Sequence, residues 1–278
     1  MTAAVAPRKS LGQHYLSDPA ILGRIAAAAL ESGADGTTLE VGAGPGTLSR
    51  ALLEGGAERL VLCERDERFR EKLEALRSEF SGRDVVLLFA DARELRLADY
   101  CDPAPLRVVG NLPYNVGTKL LTGWLGEIAG ALSLSSSSSR LPVESFTLMF
   151  QDEVARRIVA RAGDDSYGRL SVLCGWLAEC RRLFSLSPGS FYPMPRVRSA
   201  VVGLYPRGDG GGVELAALEA VTRAAFGKRR KMLRGALARM PCGAELLLEA
   251  AGLSGDERAE DVSIESYCAM AKFLSAYS

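Results

Sequence analysis

Short apolar segments alternate with longer amphipathic ones from Thr38 to Tyr205. Each apolar segment is four to six residues long and nearly continuous in apolar side chains, which is typical of a strand buried on both faces of a sheet. Strands that alternate with amphipathic helices form a parallel sheet covered by helices, so we expect an α/β fold. The predicted strands are Thr38–Val41, Arg59–Glu64, Asp84–Phe89, Leu106–Gly110, Ser145–Phe150 and Ala200–Tyr205, and the predicted helices between them are Leu48–Glu54, Glu67–Phe80, Gly117–Leu132 and Gln151–Ala162.

The pattern changes after a glycine-rich segment at residues 208–212. From Leu215 onward the apolar residues recur with helical spacing, and no strand-like segment separates the helices. The predicted helices of this part are Leu215–Phe226, Arg229–Arg239, Ala244–Ala251 and Ile264–Tyr277. We therefore expect an α/β domain over residues 1–207 and a small all-helical domain over residues 208–278.

The composition narrows the classes of function. The 278 residues include 34 basic and 34 acidic ones, which is the profile of a soluble globular protein. No apolar run approaches the roughly 18 residues of a membrane-spanning helix, and no secretory pattern is present, so a cytoplasmic protein without membrane association is expected. Six scattered cysteines without a CxxC pair and a single histidine, His14, argue against a disulfide framework and against a metal site.

A glycine-rich turn, Glu-Val-Gly-Ala-Gly-Pro-Gly at residues 40–46, follows the first predicted strand. Glycine permits a tight turn and the close approach of a ligand, and the spacing differs from that of a dinucleotide site because Thr47 stands where that fingerprint has Gly or Ala. Glu64 ends the next strand, where a carboxylate suits a ribose diol, and Asp91 follows the third strand, where it suits an adenine amino group. The alternative is an ordinary strand–helix turn with acidic residues in surface loops.

The segment Asn111–Tyr114, Asn-Leu-Pro-Tyr, follows the fourth strand. It offers an amide acceptor, a backbone carbonyl restricted by the following proline, and an aromatic face. In open α/β sheets, ligands bind outside the carboxyl ends of the strands. A plain turn explains the asparagine and the proline, but neither the tyrosine nor the shared position at a strand end. Four residues occupy such ends and are expected to converge on one edge of the sheet: Gly42, Glu64, Asp91 and Asn111.

Several segments together resemble the ribosomal RNA adenine dimethyltransferases, which transfer methyl groups from S-adenosylmethionine to N6 of adenosine. Within that family, the chain looks most like the bacterial small-subunit enzymes associated with kasugamycin sensitivity. The resemblance is carried by KSLGQHYL at residues 9–16, the glycine-rich turn, NLPYNV at 111–116, LMFQDEVARRI at 148–158, YGRLS at 167–171, FYPMPRVRSAVV at 191–202 and FGKRRKML at 226–233.

This resemblance implies a Rossmann-like S-adenosylmethionine-dependent methyltransferase sheet with a small all-helical C-terminal domain. It also implies a monomer that acts on small-subunit rRNA within the immature 30S particle during ribosome biogenesis. The implied reaction is dimethylation of two adjacent adenosines in a loop near the 3′ end of that rRNA, with S-adenosyl-L-methionine as the cofactor.

The resemblance also assigns roles to individual residues. The Asn111 side-chain oxygen and the Leu112 carbonyl accept hydrogen bonds from N6 of the target adenine, and Tyr114 and Phe191 stack on its ring. A core position explains Leu16 almost as well as cofactor binding does. His14 stands where the family commonly has asparagine, and Tyr15 stands where phenylalanine is common. The implied cofactor-binding residues are His14, Leu16, Gly42, Glu64, Asp91 and Asn111.

Basic residues are concentrated late in the chain: ten Lys or Arg stand against three Asp or Glu from Gly189 to Met240. A local basic patch attracts polyanions even in a neutral protein. For charge runs in general, a solvated helical face is the commoner explanation. The resemblance implies rRNA-phosphate contacts along a helix at Lys228, Arg229, Arg230, Lys231 and Arg234.

Two other functions remain open at this level. The chain is compatible with a ribosome-assembly or other nucleic-acid-binding factor on the same fold, although the intact Asn111 and Tyr114 argue against a catalytically inactive binder. It is also compatible with a different amine methyltransferase, because related Asn-Pro-Pro-Tyr motifs occur in enzymes that methylate DNA and protein amines. The basic segment and the helical C-terminal domain favour RNA.

Overall fold

A seven-stranded sheet is the main β structure of the computed structural model, which describes residues 14–134, 142–208, 210–228 and 231–277. The strands in these ranges are β1 (Tyr15–Leu16), β2 (Thr37–Val41), β3 (Arg59–Glu64), β4 (Asp84–Phe89), β5 (Leu106–Gly110), β6 (Val143–Gln151), β7 (Ala178–Leu186), β8 (Phe191–Tyr192) and β9 (Ser199–Pro206). The large sheet has the order β4-β3-β2-β5-β6-β9-β7, and β1 pairs with β8. The pairs from β4 through β6 are parallel, and β6 pairs with β9 in antiparallel orientation. The expected α/β fold with a mostly parallel sheet is confirmed.

Helices connect the parallel strands and make up the C-terminal part of the chain. Among the described residues, none of them is long and apolar enough to cross a membrane. They are α1 (Pro19–Ala29), α2 (Thr47–Glu54), α3 (Arg70–Glu79), α4 (Gly117–Leu134), α5 (Asp152–Val159), α6 (Arg169–Leu177), α7 (Leu215–Phe226), α8 (Leu233–Leu237), α9 (Gly243–Ala251) and α10 (Ile264–Tyr277).

All six strands predicted from the sequence are present, with ends that differ by at most two residues. Strands covered on both faces have nearly continuous apolar sequences, which made these strands recognisable. Every residue of β2 and β5 is indeed buried. One strand of the large sheet, β7, was missed. Its sequence, Ala-Glu-Cys-Arg-Arg-Leu-Phe-Ser-Leu, carries exposed charges at the edge of the sheet, where charged side chains also discourage pairing with another chain.

The described residues group into two compact units. The first comprises residues up to Trp124, Leu141–Ala155 and Arg181–Tyr205, and the second comprises Leu125–Arg140, Arg156–Cys180 and Pro206–Ser278. The boundary predicted between residues 207 and 208 lies next to the start of the last segment, but the second unit also includes two segments that the sequence had assigned to the first domain.

The second unit has its own buried core. The Tyr167 hydroxyl donates to the Val262 carbonyl at 2.9 Å, and the Tyr167 and Phe226 rings meet edge to face with centroids 5.9 Å apart. Of the helix predicted over residues 229–239, the first two residues lie outside the described ranges, and α8 covers Leu233–Leu237 among the rest. Lys231 lies in a bend, and Met232 forms an isolated bridge with Arg258, so the chain is extended where a helix was expected.

Candidate active site at the carboxyl edge of the sheet

The carboxyl ends of β2, β3, β4 and β5 surround one cavity of the first unit. Because these strands are parallel and adjacent, the residues that follow them emerge on the same side of the sheet. Most of the residues singled out from the sequence line this cavity: His14, Gly42, Glu64, Asp91, Asn111, Leu112 and Tyr114.

Two glycines of the turn after β2 are required for different structural reasons. Gly42 has φ +80°, and a Cβ atom placed on it meets only the Asn111 carbonyl oxygen, at 3.7 Å, so the backbone faces open space there. Gly44 has φ +54°, and a Cβ atom on it would lie 3.0 Å from Cε1 of Tyr15. Gly42 therefore leaves room for a ligand, whereas Gly44 leaves room for a side chain of the protein itself.

Glu64, at the end of β3, is buried and accepts two backbone hydrogen bonds. Its Oε2 accepts from the Gly44 amide and its Oε1 from the Asp66 amide, each at 2.7 Å. Burial raises the pKa of Glu64, and these amide donors act in the opposite direction. Each carboxylate oxygen keeps a further lone pair, so the group is able to accept from two hydroxyls of a ligand while it remains bonded to the turn.

Asp91 follows β4 and is held by arginine side chains that the sequence did not reveal as its partners. Its carboxylate accepts from the backbone amide of Arg93 at 3.0 Å and from the Arg93 guanidinium at 3.0 and 2.6 Å, and Arg65 lies 3.3 Å away. The Arg93 side chain and amide lower the pKa of Asp91 to about 2. Asp91 therefore presents an ionised carboxylate of fixed orientation to the cavity.

The orientation of the Asn111 amide follows from its one hydrogen-bond partner among the described residues. Its Nδ2 donates to the backbone carbonyl of His14 at 2.6 Å. Because a carbonyl oxygen only accepts, the NH2 group must face His14 and the Oδ1 atom must face the other way. No described residue donates a hydrogen bond to Asn111 Oδ1 or to the Leu112 carbonyl oxygen. The described part of the site thus contains two neighbouring acceptors to which no described residue donates.

Tyr114 is fixed at both ends. Its hydroxyl is 2.6 Å from the buried Ser199 Oγ, and its ring stacks with the His14 imidazole, with centroids 5.6 Å apart. His14 Nδ1 is 2.6 Å from the Pro193 carbonyl and must carry the hydrogen, because that oxygen only accepts. Burial raises the pKa of Tyr114, so its phenol stays neutral and offers an aromatic face rather than a base.

Two residues with expected site roles do not line the cavity. Leu16 and Phe191 are cross-strand partners in the β1–β8 pair, and both are buried in the hydrophobic core of the first unit. Of the two residues expected to stack on the target base, Tyr114 and Phe191, only Tyr114 lines the cavity.

Tyr15 is a cavity residue to which the sequence assigned no role. Its hydroxyl is buried and has no hydrogen-bond partner among the described residues. Burial and the charges of Glu64 and Asp66 raise its pKa far above the ordinary value. The only signal in the sequence was its departure from the phenylalanine common in the family. The unpaired hydroxyl, the open space at Gly42 and the spare lone pairs of Glu64 together fit a ligand that carries a ribose diol.

The basic cluster is only partly described. Arg229 and Arg230 lie outside the described residues. Lys228 and Lys231 are exposed and follow α7 in a turn and a bend, so the helix expected to carry them is absent at these two residues. Arg234, on α8, donates to the Ser254 carbonyl at 2.6 Å and lies 3.7 Å from Glu245, which occupies part of its donor capacity.

A parallel sheet of this order, with an amide, a tyrosine and two carboxylates around one cavity at its carboxyl edge, is the architecture of Rossmann-like methyltransferases as a class. The particular family follows from the comparison of sequences. The chain matches the family described as ribosomal RNA adenine dimethylase over residues 5–276, and it belongs to that family of S-adenosylmethionine-dependent enzymes.

Individual relatives agree with this family. The chain is 46% identical to a protein named Ribosomal RNA small subunit methyltransferase A from Methylobacterium radiotolerans, over 98% of this chain and 89% of that protein. Its structure is similar to that of the 23S rRNA methyltransferase ErmE, with 27% identity, a TM-score of 0.67 and coverage of 94% of this chain and 99% of that chain. A dimethyladenosine transferase from Plasmodium falciparum shares the fold, with 20% identity, a TM-score of 0.73 and coverage of 95% and 98%.

Proposed function

We propose that the protein dimethylates N6 of two adjacent adenosines in a loop near the 3′ end of small-subunit rRNA, within the immature 30S particle. The substrate is suggested by relatives that are 43–46% identical over nearly the whole chain and are named for the small subunit. The observation that carries the chemistry is a pair of acceptors to which no described residue donates, Asn111 Oδ1 and the Leu112 carbonyl oxygen. As part of the same proposal, the protein acts as a monomer in the cytoplasm.

The cofactor is proposed to bind on the side of the cavity formed by Gly42, Glu64 and Asp91, which we call the cofactor side. S-adenosyl-L-methionine supplies an electrophilic methyl group on its sulfonium. Glu64 would accept from the ribose hydroxyls, and Asp91 would accept from the adenine amino group. Gly42 leaves the space for the ligand, while His14 and Asn111 close the cavity beside the methionine portion. Leu16 would support this side from the core.

The target adenine is proposed to bind on the side formed by Asn111, Leu112 and Tyr114, which we call the target side. The lone pair of N6 is delocalised into the ring, which makes it a poor nucleophile. When Asn111 Oδ1 and the Leu112 carbonyl accept the two N6 hydrogens out of the ring plane, that delocalisation is reduced. Both hydrogen bonds strengthen as positive charge grows on N6, so they stabilise the transition state more than the ground state.

Tyr114 would hold the extruded base by stacking, which contributes ~1–3 kcal/mol per base. No general base is required, because the product ammonium loses its proton readily to water. The neutral phenol of Tyr114 is consistent with this arrangement. A base in a single-stranded loop reaches such a cavity most easily, because less stacking has to be broken.

Contacts with rRNA phosphates are proposed for the basic cluster of the C-terminal part: Lys228, Arg229, Arg230, Lys231 and Arg234. Such contacts provide affinity without base specificity and weaken steeply with salt. Reversing the charge of Arg229 and Arg230 is expected to weaken binding to small subunits and to lower the salt dependence of that binding.

The proposal is tested by incubating the protein with methyl-labelled S-adenosylmethionine and undermethylated small ribosomal subunits. We expect label in N6-dimethyladenosine after nuclease digestion, in the two adjacent adenosines near the 3′ end. Mature, fully methylated subunits are the matched control and should accept no label. Label that appears only on a ribosomal protein or on a small molecule would exclude rRNA as the substrate, and binding without transfer would favour the assembly-factor alternative.

A further inference from the structure

The segment from β8 to the start of β9, residues 191–199, exposes an unusual amount of apolar surface. The described residues include seven large hydrophobic side chains that are exposed, and three of them lie here: Tyr192 at 69%, Met194 at 67% and Val197 at 44%. The pairing of β8 with β1 explains the orientation of the first. Side chains alternate along a strand, so Phe191 points into the core and Tyr192 points to solvent.

Both ends of this segment are fixed to residues of the cavity. At one end, His14 Nδ1 donates to the Pro193 carbonyl at 2.6 Å. At the other end, the buried Ser199 hydroxyl is 2.6 Å from the hydroxyl of Tyr114. The segment is therefore hydrogen-bonded near both of its ends to residues that line the cavity, His14 and Tyr114.

The segment is also positively charged. Arg196 and Arg198 are exposed, and neither side chain has a hydrogen-bond or ion-pair partner among the described residues. Residues 191–199 contain no acidic residue. An exposed aromatic ring and exposed guanidinium groups within one short segment are the combination that binds single-stranded nucleic acid, by base stacking and phosphate contact. A protein partner would account for the apolar side chains, but two unpaired arginines beside the cavity match a polyanion better.

We propose that this surface, formed by Tyr192, Met194, Arg196, Val197 and Arg198, binds the RNA strand next to the target nucleotide. Tyr192 stacks on a base adjacent to the extruded adenine, Met194 and Val197 contact the same base or its ribose, and the two arginines bind flanking phosphates. The inference rests on the proposed function and extends it, since the nucleotides beside an extruded base are covalently attached and must cross the rim of the cavity.

The first test compares Tyr192→Ala with Tyr192→Phe on undermethylated small subunits. Removal of the ring is expected to raise KM about 10-fold with little change in kcat, and Phe should retain wild-type KM because the stacking face remains. Tyr277→Ala is the matched control, since Tyr277 is another exposed tyrosine, at 54%, in the second unit. Binding of S-adenosylhomocysteine, measured by calorimetry, should be the same in all three variants and reports that the first unit is folded.

The second test uses Arg196→Ala and Arg198→Ala together with ultraviolet crosslinking of the wild-type complex. Each arginine replacement should reduce the slope of log affinity against log salt by about 1. The crosslinked peptide should contain Tyr192 joined to a nucleotide next to the methylated pair. Wild-type KM in Tyr192→Ala with unchanged salt slopes overturns the inference, and so does a crosslink of Tyr192 to a ribosomal protein. Failure of the wild-type enzyme to methylate the subunits would instead overturn the proposed function.

Discussion

The cofactor side and the target side of the cavity differ in how their acceptors are bonded. On the cofactor side, Glu64 accepts from two backbone amides and Asp91 accepts from Arg93, so the oxygens are held before any ligand binds. On the target side, Asn111 Oδ1 and the Leu112 carbonyl have no donor among the described residues. A carboxylate that accepts hydrogen bonds from the protein still has lone pairs for a ligand. Asn111 Oδ1 and the Leu112 carbonyl, which are neutral, must instead be free of protein donors to accept both hydrogens of one amine.

This difference predicts which side controls the rate and which controls cofactor affinity. Interactions made only in the transition state change kcat, while those made equally in the ground state change binding. Replacements on the target side should therefore lower kcat, and replacements on the cofactor side should mainly raise the dissociation constant of S-adenosylhomocysteine.

The largest effect is expected for Asn111→Ala. Loss of one positioned hydrogen-bonding group that stabilises a transition state lowers kcat by about 10²–10³-fold, and we expect this range for transfer to small subunits. Binding of S-adenosylhomocysteine should remain measurable by calorimetry.

Asn115→Ala provides the matched control for that experiment. Asn115 is the other asparagine of the chain; it is exposed on the rim of the same cavity, and its amide has no hydrogen bond among the described residues. Its replacement should change kcat by less than about threefold, since no transition-state hydrogen bond is lost. Equal losses in the two variants, or unchanged turnover in Asn111→Ala, would remove the Asn111 oxygen from the mechanism.

An intermediate effect is expected for Glu64→Gln. In this variant, the glutamine NH2 group would face one of the two backbone amides that now donate to Glu64. One hydrogen bond is lost, and two N–H donors then point at each other. Hydrogen bonds to charged groups contribute about 1.5–3 kcal/mol, so the dissociation constant of S-adenosylhomocysteine should rise at least about 10-fold. The exposed Glu67→Gln, which loses only an ion pair with Arg70, should bind normally.

The pH dependence of binding gives an independent test of Glu64. Burial raises the pKa of Glu64, and only the ionised form accepts from the backbone amides and the ribose hydroxyls at once. The group protonates as pH falls through this raised pKa, so S-adenosylhomocysteine binding should weaken on acidification, and this dependence should be absent in Glu64→Gln. A binding constant that is flat with pH in the wild-type protein would contradict the assignment of the carboxylate to the ribose.

The sequence predicted six of the seven strands of the large sheet and the edge where the ligand residues meet, because burial and strand polarity are local patterns. It did not predict the partners that orient those residues. The hydrogen bond from Asn111 to His14 spans 97 positions, and that between Tyr114 and Ser199 spans 85. The position at a strand end did distinguish Glu64 from Glu40, a buried carboxyl within the adjacent strand β2. Glu40 accepts from the Ser49 hydroxyl, and burial raises its pKa to about 8.

The smallest effect concerns Tyr15, whose hydroxyl combines features of both sides. It lines the cavity with the cofactor-side residues, but it has no hydrogen-bond partner among the described residues, like the target-side acceptors. An unpaired buried polar group is destabilising, so Tyr15→Phe should raise the free energy of unfolding of the ligand-free protein by about 1 kcal/mol. If the hydroxyl bonds the cofactor, the same variant should gain less stability than wild type when S-adenosylhomocysteine is added. Thermal denaturation with and without ligand measures both changes, and the exposed Tyr277→Phe should show neither. An equal ligand-induced shift in Tyr15→Phe and wild type would show that the hydroxyl is a packing defect rather than a cofactor contact.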